Sequence, residues 1–224
     1  MKKTLQQNLT FTIPYILFLL IAGVFLFLNS KGNAHLILNQ YRFEFCDYFF
    51  CYATFLGDFI AVIAVVLLLC FFRYRFALLV ALSNIVAALI TQLLKHTLFS
   101  DVERPKKFFE GIHNLNLVAG YENYLYNSFP SGHSTSAFAT FFCLALILEN
   151  RFLKFLMFIT ALTVGFSRIY LSQHFLNDVY AGSLIGVIIS FIIYQFVFLS
   201  ERTKNISWMD KSFLYKKRMA ERMK

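Results

Sequence analysis

The sequence predicts an all-α, polytopic membrane protein with six transmembrane helices and both termini in the cytoplasm. Three observations carry that reading. Of 224 residues, 58% are hydrophobic and 15% charged, with a mean hydropathy of +0.62. A soluble domain is near half apolar and about a quarter charged, so lipid has to act as part of the solvent. Six stretches approach the ~20 apolar residues that a span requires, and Lys and Arg are divided unevenly between the two sets of connecting loops.

The stretches are approximately 11–29, 53–72, 76–98, 132–148, 155–173 and 179–199. Met-Lys-Lys precedes the first, as in a signal peptide. The apolar run is long for that role and no Ala-x-Ala-like site follows, so it reads as a retained anchor. The fourth stretch is short and opens with SGHSTS, which suits an interface or a polar cavity. Lys2, Lys3, Arg73, Arg75, Arg151, Lys154 and eight basic residues after Leu199 fall on one side, 14 in all. Lys31, Arg42, Lys95, Arg104, Lys106, Lys107 and Arg168 make 7 on the other. The positive-inside rule puts the first set in the cytoplasm and the loops 30–52, 99–131 and 174–178 outside. The net charge of +9 is therefore a topology signal rather than a nucleic-acid footprint, and the protein is expected in the cell (inner) membrane.

No repeat or Gly/Ser linker divides the chain, which reads as one membrane domain, 1–200, and a basic cytoplasmic tail, 201–224. The tail mixes Trp208, Phe213 and Leu214 with lysines and arginines. It fits either an amphipathic helix on the anionic inner leaflet or a solvated basic segment. Four cysteines lack Cys-x-x-Cys spacing, which argues against a zinc site. Cys46 and Cys51 share one outside loop, as a disulfide pair or as free thiols.

The polar residues gather outside, in KHTLFSDVERPKK (95–107), FPSGHSTS (129–136) and SRIYLSQHFLND (167–178). Each has an ordinary reading alone: snorkelling cations at helix ends, a turn with an N-cap serine, a hydrogen-bonded His–Asp pair. Together they supply what phosphoryl transfer needs, cations and backbone donors around three oxygens plus a nucleophile. Lys95, Arg104 and Arg168 are three cations, and the arginines grip oxygens bidentately. Ser131 and Gly132 open the fourth helix with a hydroxyl and unobstructed amides, and a helix N-terminus favours anions. His174 and Asp178, four apart, share a helical face; the carboxylate fixes the imidazole tautomer and leaves its other nitrogen free to attack. His133 is then the acid for the departing oxygen. A two-His, one-carboxylate metal site from His133, His174 and Asp178 competes, but three cations in the same pocket favour an anion. No metal or cofactor is expected.

At these residues the chain resembles the type 2 phosphatidate phosphatase superfamily, which includes lipid phosphate, undecaprenyl diphosphate and lipid A phosphatases. The family signature is Lys-x6-Arg-Pro, Pro-Ser-Gly-His and Ser-Arg-x5-His-x3-Asp. PSGH stands at 130–133, and Ser167-Arg168, His174 and Asp178 keep the third spacing. The first element departs, with eight residues between Lys95 and Arg104. The resemblance implies metal-independent hydrolysis through a phosphohistidine. His174 would be the nucleophile, Asp178 its orienting partner and His133 the acid, with Lys95, Arg104, Ser131, Gly132 and Arg168 on the phosphate. The family's soluble vanadate-dependent haloperoxidases fit poorly with six apolar spans.

The expected partner is a lipid with a phosphate or diphosphate headgroup, its tail left in the bilayer. Tyr121, Tyr124 and Tyr126 are either aromatics at headgroup depth, or a lid, or an interfacial belt with no substrate role. Gly182 and Gly186 form a small-xxx-small pair for close helix packing, expected within the monomer; nothing in the sequence speaks to oligomeric state. Two rival functions remain: a phosphotransferase passing phosphate to an alcohol, and a non-catalytic lipid-phosphate transporter. The near absence of charge in the inner halves of the helices weighs against the transporter; Asp58, the exception, lies towards the outer end of helix two.

Overall fold

The computed structural model of the protein describes residues 8–214, and among them every regular element is helical. The principal helices are α1 (Leu9–Leu28), α2 (Lys31–Asn39), α3 (Glu44–Ala53), α4 (Phe59–Phe72), α5 (Tyr74–Thr97), α6 (Gly132–Ile147), α7 (Arg151–Tyr170) and α8 (Leu176–Tyr194). Four helical segments are long and apolar enough to cross a membrane: α1, α5, α7, and α8 with the π-helical turn that extends it to Leu199. Their outward faces carry large apolar side chains, Ile21, Phe27 and Leu89 among them, as lipid contact demands.

The stretch 53–72, expected as one helix, is broken. The segment from Glu44 to Gly57, α3 plus a 3₁₀ turn at Thr54–Gly57, meets α4 at 57°. The backbone leaves the helical region at Asp58 (φ −80, ψ 157). Gly57 permits the turn to nestle against its neighbours, because a Cβ there would stand 2.7 Å from Val164 Cγ1 and 3.0 Å from the His133 carbonyl oxygen. Counted as one span, the bent pair is a fifth crossing candidate, and α6, with 16 residues, falls below span length.

α6 is the axis of the bundle rather than a lipid-facing element. It packs on α8, α7 and α5, and most of its residues from Ser134 to Leu146 are buried. Its polar side chains find protein partners, as burial requires: Thr140 accepts from Asn84 Nδ2 (3.0 Å), and Ser136 donates to Asn84 Oδ1 (3.1 Å). Phe11 and Tyr15 of α1 close the far side on Phe138, Phe142 and Phe158. Gly182 and Gly186 set the α8–α6 spacing inside the monomer. A Cβ on either would lie 2.6 Å from the Ser131 carbonyl or 2.5 Å from that of Thr135.

At the end of the bundle opposite the polar motifs, the chain after α8 folds back on the start of α5. Arg75, counted above as a topology charge, is buried there. Its guanidinium donates to Val197 O (2.6 Å), Thr203 O (3.1 Å) and Asp210 (2.7 and 3.1 Å). Phe213 sets its ring edge on Phe71 and Tyr74. Of the tail, residues 201–214 thus pack on the bundle. Lys2, Lys3 and the basic run after Tyr215 lie outside the described residues. Cys46 and Cys51 carry free thiols; five residues apart on α3, they point about 140° from one another.

The glycine contacts generate a stability test. Gly186→Ala should destabilise the protein by about 1–3 kcal/mol, the usual cost of overpacking, because backbone atoms of α6 block the new methyl. Gly23→Ala, whose nearest neighbour would be Tyr180 OH at 3.7 Å, should not lower the unfolding midpoint measured in detergent.

Candidate active site

The junction of α7 and α8 carries Arg168 in the last turn of α7, His174 in the connecting turn and Asp178 in the first turn of α8. After Tyr170 the chain reverses, with the amides of Gln173 and His174 both donating to the Arg168 carbonyl (2.9 and 3.1 Å). Ser172 takes a left-handed conformation (φ 52), which a serine adopts only when its surroundings hold it there. Those surroundings come from α2 and the loop before α6. The Ser172 hydroxyl lies 3.2 Å from both His35 Nε2 and Asn39 Nδ2, and Asn123 Nδ2 donates to the carbonyls of Leu171 (2.8 Å) and Ser172 (3.3 Å).

The turn delivers a buried imidazole. His174 Nδ1 lies 3.2 Å from Asp178 Oδ2, which also accepts from Ser128 Oγ (2.5 Å) and from the Phe175 amide (3.0 Å). Three donors on one oxygen fix the carboxylate, and the carboxylate fixes the ring. Burial, followed by the charges of Arg104, Lys95 and Arg168, holds the His174 pKa well below the ordinary imidazole value, so the ring is neutral at physiological pH with Nε2 as its second nitrogen.

Around it stand three buried cations. Lys95, Arg104 and Arg168 are 7%, 9% and 3% exposed. Lys95 Nζ donates to Asn127 O (2.7 Å). Arg104 donates to Tyr126 O (2.8 Å) and to the carbonyl and side-chain oxygens of Gln173 (3.1 and 3.2 Å), with Asn127 O shared at 3.4 Å. That shared carbonyl brings Lys95 and Arg104 together despite the longer spacing, with six of the eight residues between them lying beyond the end of α5. Arg168 Nη1 donates to Thr54 Oγ1 (2.6 Å) and Tyr121 OH (3.2 Å), and its Nε is buried without a partner. Among the described residues none of the three makes an ion pair. Burial and the charge of Arg168 lower the Arg104 pKa to about 10, which leaves it charged at neutral pH. Burying cations without counter-ions is costly, and the arrangement suits an incoming anion.

The PSGH turn adds its own groups. Ser131 caps α6, its hydroxyl accepting from Ser134 N (3.4 Å) and Ser134 Oγ (2.9 Å), while its amide donates to Asp178 O (3.0 Å). That amide is therefore engaged in joining α6 to α8 rather than open to a ligand. Gly132 faces open space where a side chain would sit, and the first amides of a helix lack intrahelical acceptors. His133 Nε2 lies 2.6 Å from Asp58 Oδ1. The two histidines thus take different carboxylates, and among the described residues no cluster of three His, Cys, Asp or Glu with metal-binding geometry forms.

Sequence reasoning missed several of these contacts. Asp58 and Thr54 come from the broken second stretch; a lone carboxylate in an apolar run was the available signal. Tyr121 touches Arg168, and Tyr124 lies under the Arg104 guanidinium (5.3 Å to its ring centroid). These two tyrosines are site neighbours, beyond any role in an interfacial belt.

Residues 76–202 match the family model described as PAP2 superfamily, which is more than half of the chain. The chain belongs to the PAP2 superfamily. It is 25% identical over 190 residues to lipid A 4'-phosphatase of Porphyromonas gingivalis, covering 83% of this chain and 78% of that protein. A shorter match, 36% identical over 69 residues, covers 31% of this chain and 35% of undecaprenyl-diphosphatase BcrC of Bacillus subtilis. The fold is similar to the crystal structure of Aquifex aeolicus LpxE, with a TM-score of 0.65 and 27% identity over 72% of this chain and 92% of that one. Membership in this phosphatase family places the chain among phosphoric ester hydrolases.

His35 offers a pH test of the scaffold. Burial lowers its pKa to about 4 from about 6.5 in an unfolded chain. Its neutral form therefore contributes stability above about pH 6.5 that is lost as pH falls towards 4. The unfolding midpoint should decline across that window, with a shallower slope in His35→Gln.

Proposed function

We propose that this protein is an integral membrane lipid phosphatase that hydrolyses a phosphate monoester or diphosphate headgroup at the extracytoplasmic face, through a phosphohistidine on His174. In this reading the bent α3–α4 pair and α6 complete six spans, and both termini are cytoplasmic, as the Lys/Arg asymmetry favours. The single observation that carries the chemistry is the set of three buried, ion-pair-free cations beside a neutral imidazole tied to a buried carboxylate.

In this reading the steps are as follows. Lys95, Arg104, Arg168 and the amides opening α6 at Gly132 hold the non-bridging oxygens, and Ser131 shapes that turn as its cap. His174 Nε2 attacks phosphorus while the bond from phosphorus to the lipid oxygen breaks, and His133 gives that oxygen its proton. Asp178 keeps the Nδ1 proton in place and offsets the positive charge that develops on the ring. Water then attacks the phosphohistidine, returning a proton to His133 and releasing inorganic phosphate. No step calls for a metal. The similarity to a lipid A 4'-phosphatase along most of both chains favours a large lipid phosphate; undecaprenyl diphosphate, phosphatidate and phosphatidylglycerol phosphate complete the substrate panel.

Purified protein should release phosphate from a member of that panel in the presence of EDTA, and loss of activity on chelation would contradict the mechanism. His174→Ala should abolish turnover, whereas His133→Ala should lower kcat by about 10²–10⁴-fold, the range for general acid catalysis. Phosphate appearing on an added alcohol rather than in solution would mark the enzyme as a phosphotransferase.

A further inference from the structure

The residues that the family model matches begin at 76, yet two contacts to the catalytic groups come from before that point. The turn Thr54–Gly57 and the following Asp58 enter the site from the kink between α3 and α4. Thr54 Oγ1 accepts from Arg168 Nη1 at 2.6 Å, and Asp58 Oδ1 lies 2.6 Å from His133 Nε2. Thr54 is buried, and Gly57 admits the turn to contact with the His133 backbone. The helix break, costly in a membrane because it frees backbone groups, is what allows both side chains to reach inward.

The electrostatics around His133 give the contact a purpose. Besides its burial, the ring is acted on by Arg168 from α7, Arg104 from the loop after α5 and Lys95 from α5, and it interacts with His174 from the α7–α8 turn. Asp58 is the carboxylate in contact with the ring, and a carboxylate at hydrogen-bond distance favours the protonated form. Asp178, the other acid of the site, is committed to His174, Ser128 and Phe175.

The geometry points to Asp58 as a positioning residue and counter-ion for His133, delivered by a fourth catalytic segment at the 54–58 kink. Asp58 accepts the Nε2–H and balances the protonated ring, whose Nδ1–H is the proton that the leaving lipid oxygen takes. The neutral ring keeps its Nε2–H on the Asp58 carboxylate, and the attacking water returns a proton to Nδ1 when the phosphohistidine is hydrolysed. The role rests on the reading of His133 as the leaving-group acid.

The test is the pH profile of kcat/KM for full-length protein in detergent micelles, with dioctanoyl phosphatidate as probe substrate. An acid works only while protonated, so its loss of the proton sets the basic limb. Asp58→Asn should move that limb down by about 1–3 pH units, the usual effect of one adjacent opposite charge, and cut kcat/KM at pH 7 about tenfold or more. Asp58→Ser should do the same, while Asp58→Glu, which keeps the charge, should hold the limb near its wild-type position. A basic limb unmoved in Asp58→Asn, with or without a lower unfolding midpoint, overturns the assignment. So does a limb moved equally by Asp58→Glu. His133→Ala separates the two readings: full activity in that variant sinks the acid role of His133 itself, whereas an inactive His133→Ala with an unmoved Asp58→Asn profile removes only the role of Asp58.

Discussion

The structure depends on three positive charges held out of water with, among the described residues, no ion-pair partner. Removing an ion from water costs several kcal/mol even after relaxation, and Lys95, Arg104 and Arg168 offset little of this through mutual contacts, since like charges repel. They are tolerated because neutral oxygens converge on them: the carbonyls of Asn127, Tyr126 and Gln173, and the hydroxyls of Thr54 and Tyr121. The carboxylates of Asp178 and Asp58 act on these cations from a distance, and two carboxylates against three cations leave the pocket with a positive excess that suits an anion.

Holding that cradle together explains much of the rest of the fold. The cations come from α5, from the loop after it and from α7, so these parts have to be locked in register around α6. Gly182 and Gly186 let α8 press against the α6 backbone, and the Ser131 amide bonds to the Asp178 carbonyl. Asp178, the hydrogen-bond partner of His174, is thereby tied to the turn that carries His133. From outside the bundle, α2 and Asn123 grip the left-handed turn at Ser172, two residues before His174. A small shift of that turn would move the imidazole and the Arg168 guanidinium together.

The sequence made the centre of this arrangement readable and its periphery opaque. Apolar runs marked the helices because lipid exposure enforces hydrophobicity over a whole span. The PSGH and Ser-Arg-x5-His-x3-Asp motifs marked the chemistry because both depend on fixed local spacing: a cap followed by free amides, and a His–Asp pair one turn apart. The kink at Gly57–Asp58 was hidden inside an apolar run, since a break made by long-range contact to His133 leaves no local periodicity to read. His35, Asn39 and Asn123 were equally silent, being polar residues in loops and a short helix whose partner, Ser172, lies more than 45 positions away. Arg75, counted as a topology charge, is also a buried clamp, because composition counts charge without showing which oxygens accept its hydrogen bonds.

The central claim is that His174 becomes covalently phosphorylated within this cationic cradle. The most direct measurement is rapid alkaline quenching of the enzyme during turnover of a headgroup-labelled lipid phosphate, followed by peptide mapping. The account predicts an alkali-stable, acid-labile phosphate on the peptide containing His174. Turnover without any labelled protein, or with the label on another residue, would contradict it.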